Sequence, residues 1–191
     1  MDVNKGYVTL TGRATFAKPG VEVTDTNGTL VTTVGLSTLT AGVMTIAVAK
    51  PDYPRTIMGF LTDANATITN GTVTLVGLDQ NGNGITDTLT FTAAGAVNGV
   101  KAFSVLNSAT WALVSGTVTA TIDTMALGFG PALGCPAGPD AIFVDLLHAS
   151  FDGGQETGTF SRTYGTYNPT GTMNAAKAVE VTFLYKVPIV Q

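Results

Sequence analysis

The chain has 191 residues, of which 45% are hydrophobic and only 12% are charged, and its formal net charge is −4. Its nine Lys and Arg residues are scattered without a basic stripe, which argues against binding to a nucleic-acid backbone. A single Cys excludes an internal disulfide framework and a multi-Cys metal site. No apolar stretch is long enough to span a bilayer, and the first residues lack the apolar core of a secretory signal.

Composition favours strands and turns. About one residue in six is Thr, and 23 residues are Gly. Thr is β-branched and polar, which suits the exposed face of a strand, and Gly suits tight turns. We therefore predict an all-β protein. Because free monomers usually carry more charge for solubility, the low charge also indicates an oligomer or an assembly component whose surface is buried against copies or a partner.

The first 40 residues have the weakest periodicity of the chain. We predict an N-terminal arm or short strands over residues 1–40 and a β-sandwich domain over residues 41–191. Within the arm, residues 6–16 alternate between apolar and polar side chains and are predicted as a strand. Two turns are predicted, at Lys18-Pro19-Gly20 and at 25–28, where Asp-Thr-Asn-Gly stands.

Residues 72–92 show the clearest pattern of the chain. Apolar residues alternate with Thr on both sides of two Asn-Gly pairs, 81–82 and 83–84, which tolerate the positive φ of a tight turn. This pattern predicts a β-hairpin. Residues 127–139 are instead rich in Gly and Pro, and we predict an irregular crossing there whose Phe129, Leu133 and Cys135 are buried.

The other predicted strands are apolar or alternating segments bounded by turn residues. They cover residues 43–49, 55–62, 102–114 (as two short strands broken near Asn107), 117–123, 141–148 (a buried strand or one to two helical turns), 157–167 and 178–187. About ten strands without a long helix indicate a β-sandwich, jelly-roll-like fold or a barrel.

One segment resembles a calcium loop. Asp79 to Gly84 (DQNGNG) matches the start of such a loop, and Asp87 stands at its ninth position. The twelfth position, where a bidentate Glu should close the coordination shell, is Thr90. Because the segment lies between two strand patterns, we predict a hairpin turn without an ion, with a weak calcium site as the alternative.

No catalytic constellation is evident. His148 is the only His, and a triad would require a nucleophile and an orienting acid beside it. Asp145 lies three residues away, so regular alternation would place it on the opposite strand face. Cys135 has no nearby base, and the remaining candidate carboxylates are Asp152 and Glu156 in a loop and Glu180 in a strand. We predict no catalytic residue, no metal ligand and no cofactor.

Residues 54–133 resemble a pattern common in structural proteins of tailed bacteriophages. There an opening Pro-Arg strand leads to a hairpin of the form TGTDANGNAITETLT, then to a VTGTKAF strand and a Thr-rich strand ending near GLP. The matching pieces here are Pro54-Arg55, VTLVGLDQNGNGITDTLTF, AVNGVKAFSVLNSATW, TVTATID and Leu133-Gly134-Cys135-Pro136. AVEVTFLYK resembles the closing strand of such chains, whereas Asp87 replaces a Glu and Cys135 replaces a Leu of the pattern.

The resemblance implies a non-enzymatic virion protein, most closely a head decoration (cement) protein. Such a protein is made in the host cytoplasm and clamps capsomers on the outer capsid surface as an oligomer, with a trimer favoured. Its partners would be the major capsid protein and copies of itself, with no nucleic acid and no membrane. An acidic chain without a basic patch suits the outer surface of a capsid better than the DNA-facing one.

Two alternatives stay open. A tail or baseplate component belongs to the same class of virion proteins. A carbohydrate-binding or adhesin β-sandwich would stack exposed aromatic rings on sugars, and Tyr164, Tyr167 and Trp111 are the candidates for that role. Burial in the core is the simpler expectation for Trp111, and an enzyme is the third and weakest hypothesis.

Overall fold

The computed structural model describes residues 7–16, 30–120, 122–138, 141–170 and 178–189. These residues form thirteen β-strands, and their only helical segments are two single 3-10 turns. The all-β prediction is confirmed. The strands are β1 Tyr7–Phe16, β2 Val31–Gly35, β3 Arg55–Thr62, β4 Ile68–Leu78, β5 Gly84–Phe91, β6 Gly95–Asn98, β7 Val105–Gly116, β8 Thr124–Gly134, β9 Ile142–Phe151, β10 Gly154–Gln155, β11 Thr159–Ser161, β12 Thr166–Asn168 and β13 Val179–Pro188.

The strands form three antiparallel sheets. A six-stranded sheet has the order β11-β12-β8-β3-β6, with β2 also paired to β8, and a three-stranded sheet has the order β5-β4-β7. A four-stranded sheet has the order β1-β13-β9-β10. The count exceeds the predicted ten because β6, β10, β11 and β12 are two to four residues long, too short to show a period in the sequence.

Two apolar clusters hold these sheets together. The larger one lies between the three-stranded and the six-stranded sheets and includes Phe91, Phe103 and Trp111, so the predicted core position of Trp111 is confirmed. The smaller one joins the four-stranded sheet to the end of β8 and to β12, through residues such as Phe183 and Tyr167. Strand β8 contributes to both clusters, because Leu127 lies in the first and Leu133 in the second.

The predicted hairpin is confirmed as β4 and β5. The two strands pair from Gly71↔Phe91 to Leu78↔Gly84, and every second residue on each strand is buried. The turn residue Gly82 has a φ of 84°, in the left-handed region that glycine adopts readily. The prediction for β3 is also confirmed, with the same bounds.

The predicted irregular crossing at 127–139 is wrong. Residues 124–134 form β8, the strand to which β3, β12 and β2 are all paired. Gly130, Pro131 and Ala132 lie opposite the single residue Thr56, so the strand bulges at the one place where a proline would break the ladder. The expected burial of Phe129, Leu133 and Cys135 is confirmed, since none is more than 9% exposed.

Two further strand predictions are wrong. Residues 43–49 form no strand, because the chain there alternates partners: the Met44 N–H donates to Ala109 of β7 and the Ala47 N–H donates to Leu30. The described residues of 117–123 form a loop closed by the buried carboxylate of Asp123, which accepts the Thr119 N–H. In this second segment a hydrogen bond to a side chain takes the place of a ladder partner.

The remaining predictions are confirmed with modifications. Residues 102–114 were predicted as two strands but form one, β7, with Asn107 as an extra residue in its pairing to β4. The segment 141–148 is a strand, β9, although Ile142 and Leu147 are exposed instead of buried. The segment 157–167 is divided into β11 and β12, and 178–187 is β13.

The segment predicted as an arm or short strands contains β1 and β2 in its described parts. Strand β1 pairs with β13 over ten consecutive residues, from Tyr7↔Pro188 to Phe16↔Val179. Strand β2 pairs with β8. The turns predicted at Lys18-Pro19-Gly20 and at 25–28 lie outside the described residues.

Candidate functional site

The segment predicted as a turn or a weak calcium loop is a closed hydrogen-bonded turn. Asp79 Oδ1 accepts the backbone N–H groups of Asn81 and Asn83, both at 2.8 Å, and Asp79 Oδ2 accepts Asn83 Nδ2 at 3.2 Å. Asp87 lies away from this group: its buried carboxylate accepts the N–H groups of Val100 and Lys101 at 2.8 and 3.1 Å. The carboxylates that a calcium ion would require are therefore occupied by backbone donors.

Among the described residues, no group of three or more His, Cys, Asp or Glu side chains is placed to hold a metal ion. We expect the melting temperature of the protein to be the same in excess chelator and in millimolar calcium, because the Asp79 turn is stabilised by its own N–H donors. A thermal melt monitored by circular dichroism measures this. Destabilisation by chelator that calcium reverses would establish the ion site.

His148 and Asp145 lie on the same face of the four-stranded sheet, which corrects the expectation of opposite faces. They pair with Thr182 and Leu184, two residues apart on β13, because Leu147 is an extra residue in the β9 register. His148 is exposed. Asp145 binds Arg162 at 3.1 Å, and this hydrogen bond, followed by one from the Leu146 N–H, lowers the pKa of the carboxyl group. Asp145 is therefore paired with Arg162.

Cys135 is fully buried in the smaller cluster. Its backbone N–H donates to the carbonyl of Gly165 at 2.8 Å, and burial raises the pKa of its thiol to about 12. Since the thiolate is the reactive form of cysteine, this residue is unsuited to nucleophilic catalysis.

We expect Cys135 to resist a disulfide reagent such as dithionitrobenzoate at pH 8 in the native protein and to react fully in denaturant. The thiol is both shielded and protonated at that pH. Absorbance of the released thiolate, measured before and after denaturation, gives the number of reactive thiols per chain. Stoichiometric reaction of the folded protein within minutes would contradict the buried position.

The other carboxylates that the sequence offered lie in or next to the four-stranded sheet. Glu180 forms an exposed ion pair with Arg13 at 2.8 Å. Glu156 accepts the N–H of Thr170, and Asp152 occupies the turn between β9 and β10 with a φ of 53°. Glu180 and Glu156 are thus each engaged by a different donor.

The three aromatic residues considered for sugar stacking differ in exposure. Trp111 is buried under Phe91, with ring centroids 6.3 Å apart. Tyr167 is also buried, and its hydroxyl accepts the Gly158 N–H at 3.0 Å. Tyr164 is 36% exposed and lies in the turn between β11 and β12. Only Tyr164 therefore presents a ring to solvent.

A cleft of about 610 Å³ lies beside Tyr164. Its lining comes from the β4–β5 turn, the β11–β12 turn, the start of β9, and Lys101 with Ala102. The sequence did not predict this cleft, because its walls come from four segments far apart in the chain. It is lined by Asp79, Gln80, Asn81, Asn83, Ile85, Lys101, Ala102, Ala141, Ile142, Phe143, Arg162, Thr163 and Tyr164.

A second surface feature is the outer half of β1. Val8 and Leu10 are 43% and 39% exposed, although they lie on the same sheet face as the buried Ala14 and Phe16. Their neighbours on β13 are Val187 and Tyr185, which are half-buried. We call these four residues, Val8, Leu10, Tyr185 and Val187, the apolar strip.

Comparison of the chain with family models, with curated proteins and with solved structures finds no match. The described residues include no helix with the length and apolar character needed to cross a membrane.

Proposed function

We propose that the protein is a non-enzymatic structural component of a bacteriophage virion, a decoration protein that binds the outer face of the capsid as an oligomer. The sequence resemblance supplies the class of protein. The observation that supports an oligomer is the apolar strip. It lies on the same sheet face as the buried residues of β1 but is exposed to solvent.

The strip is suited to a subunit contact. Its strand β1 is an edge of the four-stranded sheet, and among the described residues it pairs only with β13. Exposed apolar edge strands associate with other chains unless they are covered or carry charges. Arg13 is the only charged residue of β1, and it is neutralised by Glu180 at 2.8 Å. Association through this strip would remove apolar surface from water without burying an isolated charge.

The segment that resembles phage structural proteins forms one continuous part of the fold. Residues 54–133 include all of β3 to β7 and most of β8, which build the sandwich around the larger cluster. This arrangement supports the use of the segment as a rigid clamp, with few charges to desolvate at a capsid joint. Binding at many symmetry-related positions would make small contacts collectively strong.

The structure bears differently on the two alternative functions, a tail component and an adhesin. A tail or baseplate component would have the same fold, so its distinction from a decoration protein depends on where the protein lies on the particle. An adhesin that stacks sugars on Tyr164, Tyr167 and Trp111 together is disfavoured, because Tyr167 and Trp111 are buried.

We expect the double substitution Val8→Lys with Leu10→Lys to dissociate the oligomer and to weaken particle binding by at least tenfold. Both side chains are exposed, so two added charges would oppose association while leaving the core unchanged. Sedimentation velocity gives the oligomeric state, and co-sedimentation with particles that lack the protein gives the binding.

The matched control is Thr9→Lys with Thr11→Lys. It adds the same charge to the same strand but on the opposite face, away from the apolar strip. This control should remain oligomeric with an unchanged melting temperature. A wild-type protein that is monomeric, or a strip variant that assembles as well as the control, would refute the assigned contact.

A further inference from the structure

We propose that the cleft between the β4–β5 turn and the β11–β12 turn binds a neutral saccharide. This site is independent of the capsid-binding function proposed above. Its volume of about 610 Å³ lies within the range of about 300–1,000 Å³ that small-ligand sites occupy. Four features support this inference. The loops that line the cleft are held by hydrogen bonds, and its charges cancel. Some of its polar groups have no partner among the described residues, and an aromatic and an aliphatic residue are exposed there.

The walls of the cleft are fixed by hydrogen bonds between loops. Asn81 Oδ1 accepts the N–H groups of Ala137 and Gly138 at 3.0 and 2.9 Å, which ties the β4–β5 turn to the segment after β8. Gln80 Nε2 donates to the carbonyl of Tyr164 at 3.3 Å and joins the two facing turns. A site whose walls are already ordered loses less entropy when a ligand binds.

The charges at the cleft cancel. Lys101 and Arg162 are cations, Asp79 is an anion within the lining, and Arg162 is also paired with Asp145 at 3.1 Å. Two cations against two carboxylates leave no net charge to select an anionic or a cationic ligand. The site is therefore suited to a neutral molecule that can both donate and accept hydrogen bonds.

Polar groups of the lining remain open to such a ligand. The hydroxyls of Thr163 and Tyr164 have no hydrogen-bond partner among the described residues, and Lys101 Nζ has one, the carbonyl of Thr86 at 2.6 Å. Arg162 uses one of its guanidinium nitrogens on Asp145. Sugar hydroxyls act as both donors and acceptors, so they match this mixture of open donors and acceptors.

Two apolar surfaces flank these polar groups. Tyr164 is 36% exposed and Ile142 is 49% exposed, and both line the cleft. The C–H face of a sugar ring can pack on such surfaces while its hydroxyls reach the polar lining. The cleft therefore combines apolar and hydrogen-bonding surface, as small-ligand sites do.

The test uses saturation-transfer nuclear magnetic resonance on the full chain, with methyl α-mannoside, N-acetylglucosamine, maltotriose and cellotriose as probes. We expect at least one probe to bind with a dissociation constant of about 1 mM or below. Tyr164→Ala should weaken that binding about tenfold, because it removes the stacking surface. Tyr164→Phe should stay within about threefold, because the ring is kept and one hydroxyl is lost.

The control variant is Tyr7→Ala, which removes an exposed ring outside the cleft. It should bind the probe as the wild type does. Absence of binding for all four probes at about 10 mM, or equal binding by Tyr164→Ala and Tyr7→Ala, would overturn the proposal. Stronger binding of glucuronate than of any neutral probe would also overturn it, since the site would then select an anion.

Discussion

Replacing Arg55 by Ala is expected to lower the free energy of unfolding by about 3–5 kcal/mol. Arg55 is completely buried at the start of β3. Its Nε donates to the carbonyl of Gly130 at 3.0 Å, its Nη1 donates to Asp52 at 3.2 Å, and its guanidinium lies 5.2 Å from the Phe129 ring centre. The substitution removes the donor that the bulge of β8 uses and leaves a cavity in its place.

The matched control is Arg13→Ala, which breaks the exposed Arg–carboxylate pair between β1 and β13. Arg13 and Glu180 are both exposed, so this loss should cost no more than about 1 kcal/mol. Equilibrium denaturation in urea measures both variants. Equal effects of the two substitutions would show that the buried position of Arg55 does not contribute to stability.

A second large effect is expected at the contact between Trp111 and Gly71 in the three-stranded sheet. The Trp111 indole lies directly over the Gly71 backbone, so a Cβ at position 71 would overlap the ring. Trp111→Ala should lower the free energy of unfolding by about 3–5 kcal/mol, since it empties a place in the larger cluster. Gly71→Ala should cost about 1–3 kcal/mol, because the ring must move out of its packed position.

Substitutions at positions 71 and 111 are expected to be strongly coupled. In a Trp111→Leu background the smaller side chain leaves room for a methyl group, so Gly71→Ala should lower the free energy of unfolding only slightly. Urea denaturation of the four proteins in this cycle gives the coupling energy. If the two changes in unfolding free energy were additive, the packing of the Trp111 ring would not require glycine at position 71. Gly82→Ala is a useful reference, because an added Cβ there meets nothing but the φ of 84° is strained.

The strands that could be predicted are those with a local signal. In the β4–β5 hairpin, Thr alternates with apolar residues and two Asn-Gly pairs mark the turn, so sequence period and turn chemistry agree. Strand β3 has an equally clear boundary at Pro54. In both cases the structural information lies within a few neighbouring residues.

The errors arose where particular contacts override the pattern of apolar and polar residues. The Gly and Pro residues of 127–134 indicated an irregular segment, but a bulge at Pro131, supported by Arg55 and Thr56, lets this stretch form β8. Residues 117–123 alternate well, yet the Asp123 carboxylate closes them into a loop. The partners of β8 lie far away in the chain, whereas the Asp123–Thr119 hydrogen bond is local but is not visible in the alternation of apolar and polar residues.

The candidate sites differ in the same way. The turn at Asp79 was predicted from its own residues, and the hydrogen bonds to the Asp79 carboxylate are local. The cleft could not be predicted, because Lys101, Ile142 and Tyr164 become neighbours only when three sheets have assembled. The bulge at Leu147, which places Asp145 and His148 on one face, likewise depends on pairing with β13.

The most direct test of the decoration function is the temperature at which particles release their DNA. Dye fluorescence on heating would be followed for complete particles, for particles stripped of this protein, and for stripped particles reloaded with wild type or with Val8→Lys and Leu10→Lys. We expect stripped particles to release DNA at a lower temperature, wild type to restore the original temperature, and the strip variant to fail. Stripped particles that withstand heat as well as complete ones would contradict the proposed function.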